Sequence, residues 1–151
     1  MSLIFSRSCQ YALQAVIYLS REREGAAVHV REISDALNIP HHFLGKILQI
    51  LNRNGIVQST KGANGGFRLG KPAADIRVLD IARSIDGASS IDRCVLGFPE
   101  CDEHQPCPMH DAWKASKAGI LRMLSETTVD ELTGKMNARL DSLPGTIRAH
   151  S

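Results

Sequence analysis

The stretch EISDALNIPHHFLGKILQILNRNGIVQSTKGANGGFRLGKP, Glu32 to Pro72, decides the fold. Leu44, Ile47, Leu48 and Leu51 fall at i, i+3, i+4 and i+7, the spacing of one buried stripe on an α-helix, so a helix is predicted from about His41 to Asn54 with Gly55 as its cap. Before it, Val30 to Leu37 predicts a shorter helix that buries Ile33 and Leu37. Asn38 and Pro40 end that helix and open a turn. A short helix, a tight turn and a longer amphipathic helix make a helix-turn-helix, whose second helix reads the major groove of DNA mainly from its N-terminal turn. After it come a strand at Ile56–Thr60, a turn at Lys61–Gly66 and a returning strand at Phe67–Leu69, a β-hairpin wing. The wing glycines permit positive φ and let backbone amides approach phosphate, while Lys61 and Arg68 supply charge. A phosphate-cradling nucleotide loop is excluded, because there the lysine follows the glycines and here Lys61 precedes them.

Working outward, Ala12, Ala15, Val16 and Leu19 repeat the helical spacing over Arg7–Leu19, and Ile76–Ile85 reads as a short connecting helix. Net charge over the 151 residues is only +2, but it is unevenly spread. Residues 1–72 carry nine Lys/Arg against four Asp/Glu, and residues 73–151 carry nine against twelve. No acid falls between Asp35 and Asp75, an interval that holds His41, His42, Lys46, Arg53, Lys61, Arg68 and Lys71. Positive charge without interspersed acids suits phosphate contact, which releases counterions. The start of the sequence lacks a secretory signal and no apolar run reaches the length of a membrane span, so a cytoplasmic location is expected, with reduced thiols.

That expectation bears on CVLGFPECDEHQPCPMH, Cys94 to His110, which holds three of the four cysteines. Six residues separate Cys94 from Cys101, five separate Cys101 from Cys107, and two more lead to His110. Gly97, Pro99, Pro106 and Pro108 rule out regular structure and leave a loop able to wrap a metal. Reduced thiols disfavour disulfides, and the polar surroundings disfavour the cysteines as buried hydrophobes. Thiolates with an imidazole suit an iron–sulfur cluster or a structural zinc; the paired C-x-x-C of zinc ribbons is missing. Beyond the loop, Asp111–Ser125 predicts a helix with Trp113, Ile120 and Leu124 on one stripe, Trp113 serving core or interface. Thr127–Glu131 opens a last helix to about Leu143.

YALQAVIYL, the helix-turn-helix and the wing KGANGGFRLGKP, followed by the three-cysteine cluster, resemble the IscR/NsrR-type family of bacterial winged-helix transcription regulators, over about Leu3 to Leu143. The C-x5-C-x5-C-x2-H pattern of the IscR branch matches with one extra residue in the first gap. The resemblance implies a homodimer on a palindromic DNA operator, with an iron–sulfur cluster as sensor. It implies Cys94, Cys101, Cys107 and His110 as ligands, and so [2Fe-2S] rather than [4Fe-4S]. In the nitric-oxide-sensing branch a carboxylate near the partner's N-terminus completes the cluster; Gln10 stands at that position, with Cys9 next to it and His104 within the loop as further candidates.

The expectation is therefore a mainly α chain with a small β-hairpin wing. Residues 1–90 are read as a winged helix-turn-helix DNA-binding domain and 91–110 as the cluster loop. Residues 111–143 hold dimerisation and C-terminal helices, and 144–151 a flexible tail. The function expected is a transcriptional repressor controlled by redox, nitric oxide or iron status, with His41, His42, Lys46, Lys61, Asn64 and Arg68 toward DNA. A zinc-stabilised or metal-independent regulator of the same fold is the alternative, and a metal carrier predicts no salt-dependent DNA binding. No nucleophile with a positioned base, carboxylate pair or nucleotide fingerprint points to an enzyme.

Overall fold

The computed structural model describes residues 4–22, 25–87, 93–98 and 103–142, with side chains to residue 138. Leu44, Leu48 and Leu51 are wholly buried and Ile47 nearly so, and this stripe seats α3 (His41–Arg53) against α1 (Arg7–Ser20) and α2 (Val30–Leu37). Burying each aliphatic side chain contributes about 1.5–3 kcal/mol, which sets the rotation of α3. Asn38 takes the left-handed conformation at φ 55°, and the Ser34 hydroxyl donates to the Ile39 carbonyl across the turn. Both devices fix the angle between the two helices. Ile33 seals α2 into the same core, with Leu37 half-buried beside it.

The wing follows as β1 (Val57–Thr60) and β2 (Gly66–Leu69), antiparallel, with Gln58 opposite Arg68 and Ser59 opposite Phe67. Asn52 in the last turn of α3 accepts the Ser59 N–H at 3.3 Å, tying helix to hairpin. On the other edge Val28 and Phe67 exchange two backbone hydrogen bonds of 2.8 Å each. That contact explains Gly66. Its φ is +149°, and a Cβ there would stand 2.3 Å from the Val28 carbonyl oxygen. Gly65 and Gly70 likewise face carbonyl oxygens of their own chain at 2.5 Å. These three glycines are required for close backbone packing within the wing, a role beyond the phosphate approach expected of them.

A short 3-10 turn (Ala73–Asp75) leads to α4 (Val78–Asp86), where Asp80 accepts the Arg77 N–H at 2.9 Å as half of a capping box. Then come α5 (His110–Glu126) and α6 (Val129–Ser142), the latter capped by the Thr128 hydroxyl, which accepts from Glu131 N–H at 3.1 Å. Between α5 and α6 the chain pairs with the segment before α4. Val78 N–H donates to Thr127 O at 3.0 Å, and Val129 N–H to Ile76 O at 2.9 Å. Ile76 and Val129 are wholly buried in the core that holds α1 and α3. The C-terminal half of α5 rests on α4 through Leu124, Ile120 and Leu121 against Val78 and Leu79. The expected helix at Ile76–Ile85 thus begins two residues later, because Ile76 is extended and pairs with Val129. The proposed 144–151 tail lies outside the described residues.

Two glycine substitutions should move stability in opposite directions. Gly66→Ala forces a Cβ into the Val28 carbonyl and should destabilise by about 1–3 kcal/mol. Gly45→Ala, inside α3 with open space around it, should stabilise by about 0.5–1 kcal/mol. Urea unfolding of both variants beside the parent chain checks the two signs.

Candidate functional site: a nucleic-acid interface and a cysteine loop

Because α3 buries its aliphatic stripe, the opposite stripe must face water. His42, Lys46, Gln49 and Arg53 line a shallow open groove with Gly45 and Ile50, and none of these side chains is acidic. His41 is exposed at the start of α3, beside His29, Arg31, Glu32 and Asp35 at the α2 end. It therefore sits nearer the turn than the stripe. Gln49 is not marked by the sequence and Arg53 only as part of its basic interval, although both continue the helical spacing set by His42 and Lys46. On the wing, Lys61 and Asn64 are exposed at the tip. Arg68 lies farther back, half-buried, with its guanidinium donating to Gln58 Oε1 at 3.3 and 3.2 Å and to the Gly25 carbonyl at 3.5 Å. The structure thus brings His42 and Lys46 together on one face and holds Arg68 against the hairpin.

The cysteine loop meets the start of α5. Cys94 is buried and Cys107 half-buried, and their sulfurs stand 3.5 Å apart. Two sulfurs on one tetrahedral ion at about 2.3 Å would be separated by about 3.8 Å, so this pair fits a shared metal. Burial opposes ionisation of Cys94, but backbone hydrogen bonds from Leu96, Phe98 and Gly97, with the Cys107 thiol, outweigh it and hold the Cys94 thiol below its ordinary value. A thiolate is the form that binds metal. His110 is buried as the first residue of α5, and its backbone N–H donates to Cys107 O at 3.0 Å. Cys101 lies outside the described residues. Among the described residues, no three His, Cys, Asp or Glu side chains converge as a metal site.

The loop is fastened to α5 at further points. Trp113 Nε1 donates to the carbonyl of Arg93, the residue before Cys94, at 3.0 Å. Lys114 pairs with Glu103 and holds its carboxyl below the usual range. Trp113, expected as core or interface, is a brace for the loop. His104 is exposed in that loop. Cys9 and Gln10 lie on α1, where Cys9 is wholly buried; burial first, then the nearby Asp86 carboxylate, push its thiol up to about 12. Such a thiol is a poor ligand. Asp86 also accepts from the Ser6 hydroxyl and N–H, closing α4 onto the start of α1.

A basic recognition stripe beside a β-hairpin wing defines a winged-helix DNA-binding protein. The family model for Rrf2, described as an iron-dependent transcriptional regulator, matches residues 5–135, and the chain belongs to the Rrf2 family. It is 36% identical over 132 residues to a protein of Aquifex aeolicus that carries the name HTH-type transcriptional regulator, covering 86% of this chain and 91% of that one. Among solved structures it is similar to CymR, the global cysteine regulator of B. subtilis, with a TM-score of 0.77 and 25% identity over 89% of this chain and 98% of that one. The fold is also that of T. potens IscR, with a TM-score of 0.73 at 22% identity over 95% and 93% of the two chains. The protein is accordingly a DNA-binding transcriptional regulator and not an enzyme. Among the described residues no helix is long and apolar enough to cross a membrane.

The contrast between the thiols is testable by labelling the native chain with a maleimide at pH 7. With a pKa near 12, about one Cys9 thiol in a hundred thousand is ionised, so Cys9 should stay unmodified until the protein unfolds. Cys107 should label in the folded, metal-free protein. Peptide mass spectrometry with and without denaturant reads both.

Proposed function

We propose that this regulator is a homodimeric, cytoplasmic repressor of palindromic operators whose DNA affinity is set by an iron–sulfur cluster on Cys94, Cys101, Cys107 and His110. The observation that carries the reading is the approach of Cys94 and Cys107 to 3.5 Å at the first turn of α5, with backbone hydrogen bonds holding the Cys94 thiol below its ordinary value. The family's description as iron-dependent supports iron over zinc. A histidine among the ligands favours [2Fe-2S] over [4Fe-4S]. When bound, such a cluster supplies a metal centre sensitive to oxidants, nitric oxide and iron supply.

The chain's own residues do the rest. Trp113 and Lys114 fasten the loop to α5, so loop order and the seating of α5 are one event. Over its 17 residues, about 25 Å, α5 reaches the backbone pairing at Thr127–Val129, which joins it to the segment following the wing. The exposed face of α5 is the surface offered to a second copy. Its shift resets the separation of the two α3 helices, a coupling of about 1–3 kcal/mol. His42 and Lys46 approach the major groove with His41 at the turn before them, Lys61 and Asn64 approach phosphate or the minor groove, and Arg68 reaches phosphate only by exchanging its contact with Gln58.

Anaerobic purification followed by a visible spectrum and assay of iron, acid-labile sulfide and zinc tests the cofactor. Brown protein with iron and sulfide, lost in Cys94→Ser and Cys107→Ser, is the expected result; colourless protein with one zinc per chain overturns the cluster and leaves a structural site. For the interface, Lys61→Ala should lower the slope of log affinity against log salt by about 1, and an unchanged slope would remove the wing tip from the DNA contact.

A further inference from the structure

Most glycines among the described residues are accounted for by the fold of the chain itself. Six take positive φ, and Gly65 and Gly70 meet carbonyl oxygens at 2.5 Å. Gly45, Gly119 and Gly134 have neither reason: each lies inside a helix, and a Cβ at any of them would meet nothing within 4 Å. A glycine inside a helix is less stable there than alanine. Of the three, only Gly45 lies on the recognition helix. It is in the N-terminal half of α3, where base contacts concentrate, in the groove lined by His42, Lys46 and Gln49. His42 is three residues before it and Gln49 four residues after, so both flank it on the same helical stripe.

We propose that Gly45 is the point of nearest approach between α3 and the DNA duplex, a bare step in the helix surface that lets α3 seat deep enough for His42 and Gln49 to reach base edges. Gly45 makes no hydrogen bond to a base and carries no charge. Its contribution is clearance. A methyl group there lifts the helix from the groove floor and lengthens the contacts on either side, while the folded chain gains stability. Glutamine suits a bidentate contact to adenine in the major groove, which makes Gln49 the flanking residue most sensitive to that lift.

The proposal rests on the reading of α3 as the groove-entering helix, and the experiment separates the two. The full-length parent protein is used to enrich duplexes from a random-sequence pool, and the enriched duplex becomes the probe for Gly45→Ala, Gly45→Leu and Lys46→Ala. Gly45→Ala should melt at or above the parent temperature yet bind the enriched duplex about ten-fold or more weakly, with Gly45→Leu weaker again. The salt slope of the Ala variant should equal the parent's, because no phosphate contact is lost, whereas Lys46→Ala should lower the slope. Equal binding by parent, Ala and Leu variants overturns the clearance role and leaves the helix-turn-helix reading standing. Failure of the parent to enrich any duplex, or a Lys46→Ala slope equal to the parent's, overturns the placement of α3 in the groove and with it the role of Gly45.

Discussion

Burial of one stripe of α3 governs what the rest of the molecule can present. Leu44, Ile47, Leu48 and Leu51 together contribute several kcal/mol by leaving water, so the helix has one rotational setting. Within that setting His42, Lys46, Gln49 and Arg53 stay exposed, with no acid among them. The Asn52–Ser59 hydrogen bond extends the constraint to the wing, because the hairpin leaves α3 with its direction already fixed. The Val28–Phe67 exchange closes the wing from the other side and ties it to the start of α2. Helix, turn and wing are therefore tied together at both edges of the hairpin.

The second half of the molecule is organised around the two ends of α5. At its start the cysteine loop is held by a backbone hydrogen bond at Cys107, the Trp113 indole and the Lys114–Glu103 pair. The ion pair is exposed and contributes little by itself, but the indole bond fixes the chain directly beside Cys94. At its end α5 is held by Thr127 and Val129, whose partners Val78 and Ile76 follow the wing closely in sequence. A helix fastened at both ends transmits displacement as a rod, whereas a frayed one would absorb it.

Much of this was legible in the sequence where a single physical rule acts alone. The 3.6-residue spacing located α1, α2 and α3 to within a residue or two, and the capping threonines followed by acids at Thr127–Glu131 located the start of α6. What was illegible depends on partners distant along the chain. The clash of a Gly66 side chain with Val28 cannot be read from a local glycine run, and the extended Ile76 is set by Val129, fifty-three residues later. Arg68 offered its charge equally to solvent or to a neighbour, and the strand register put Gln58 opposite it. Trp113 carried no positional signal for Arg93, because the loop between them has no period.

Val129 belongs to the same core as Ala15, Leu48 and Ile76, although it comes from the far end of the chain. The core shared by α1 and α3 is therefore complete only once Val129 has joined it. Helices α1, α2 and α3 can form earlier, but their common core waits for residue 129. A chain made from its N-terminus gains Val129 after the cysteine loop, so the loop precedes the completed core in time.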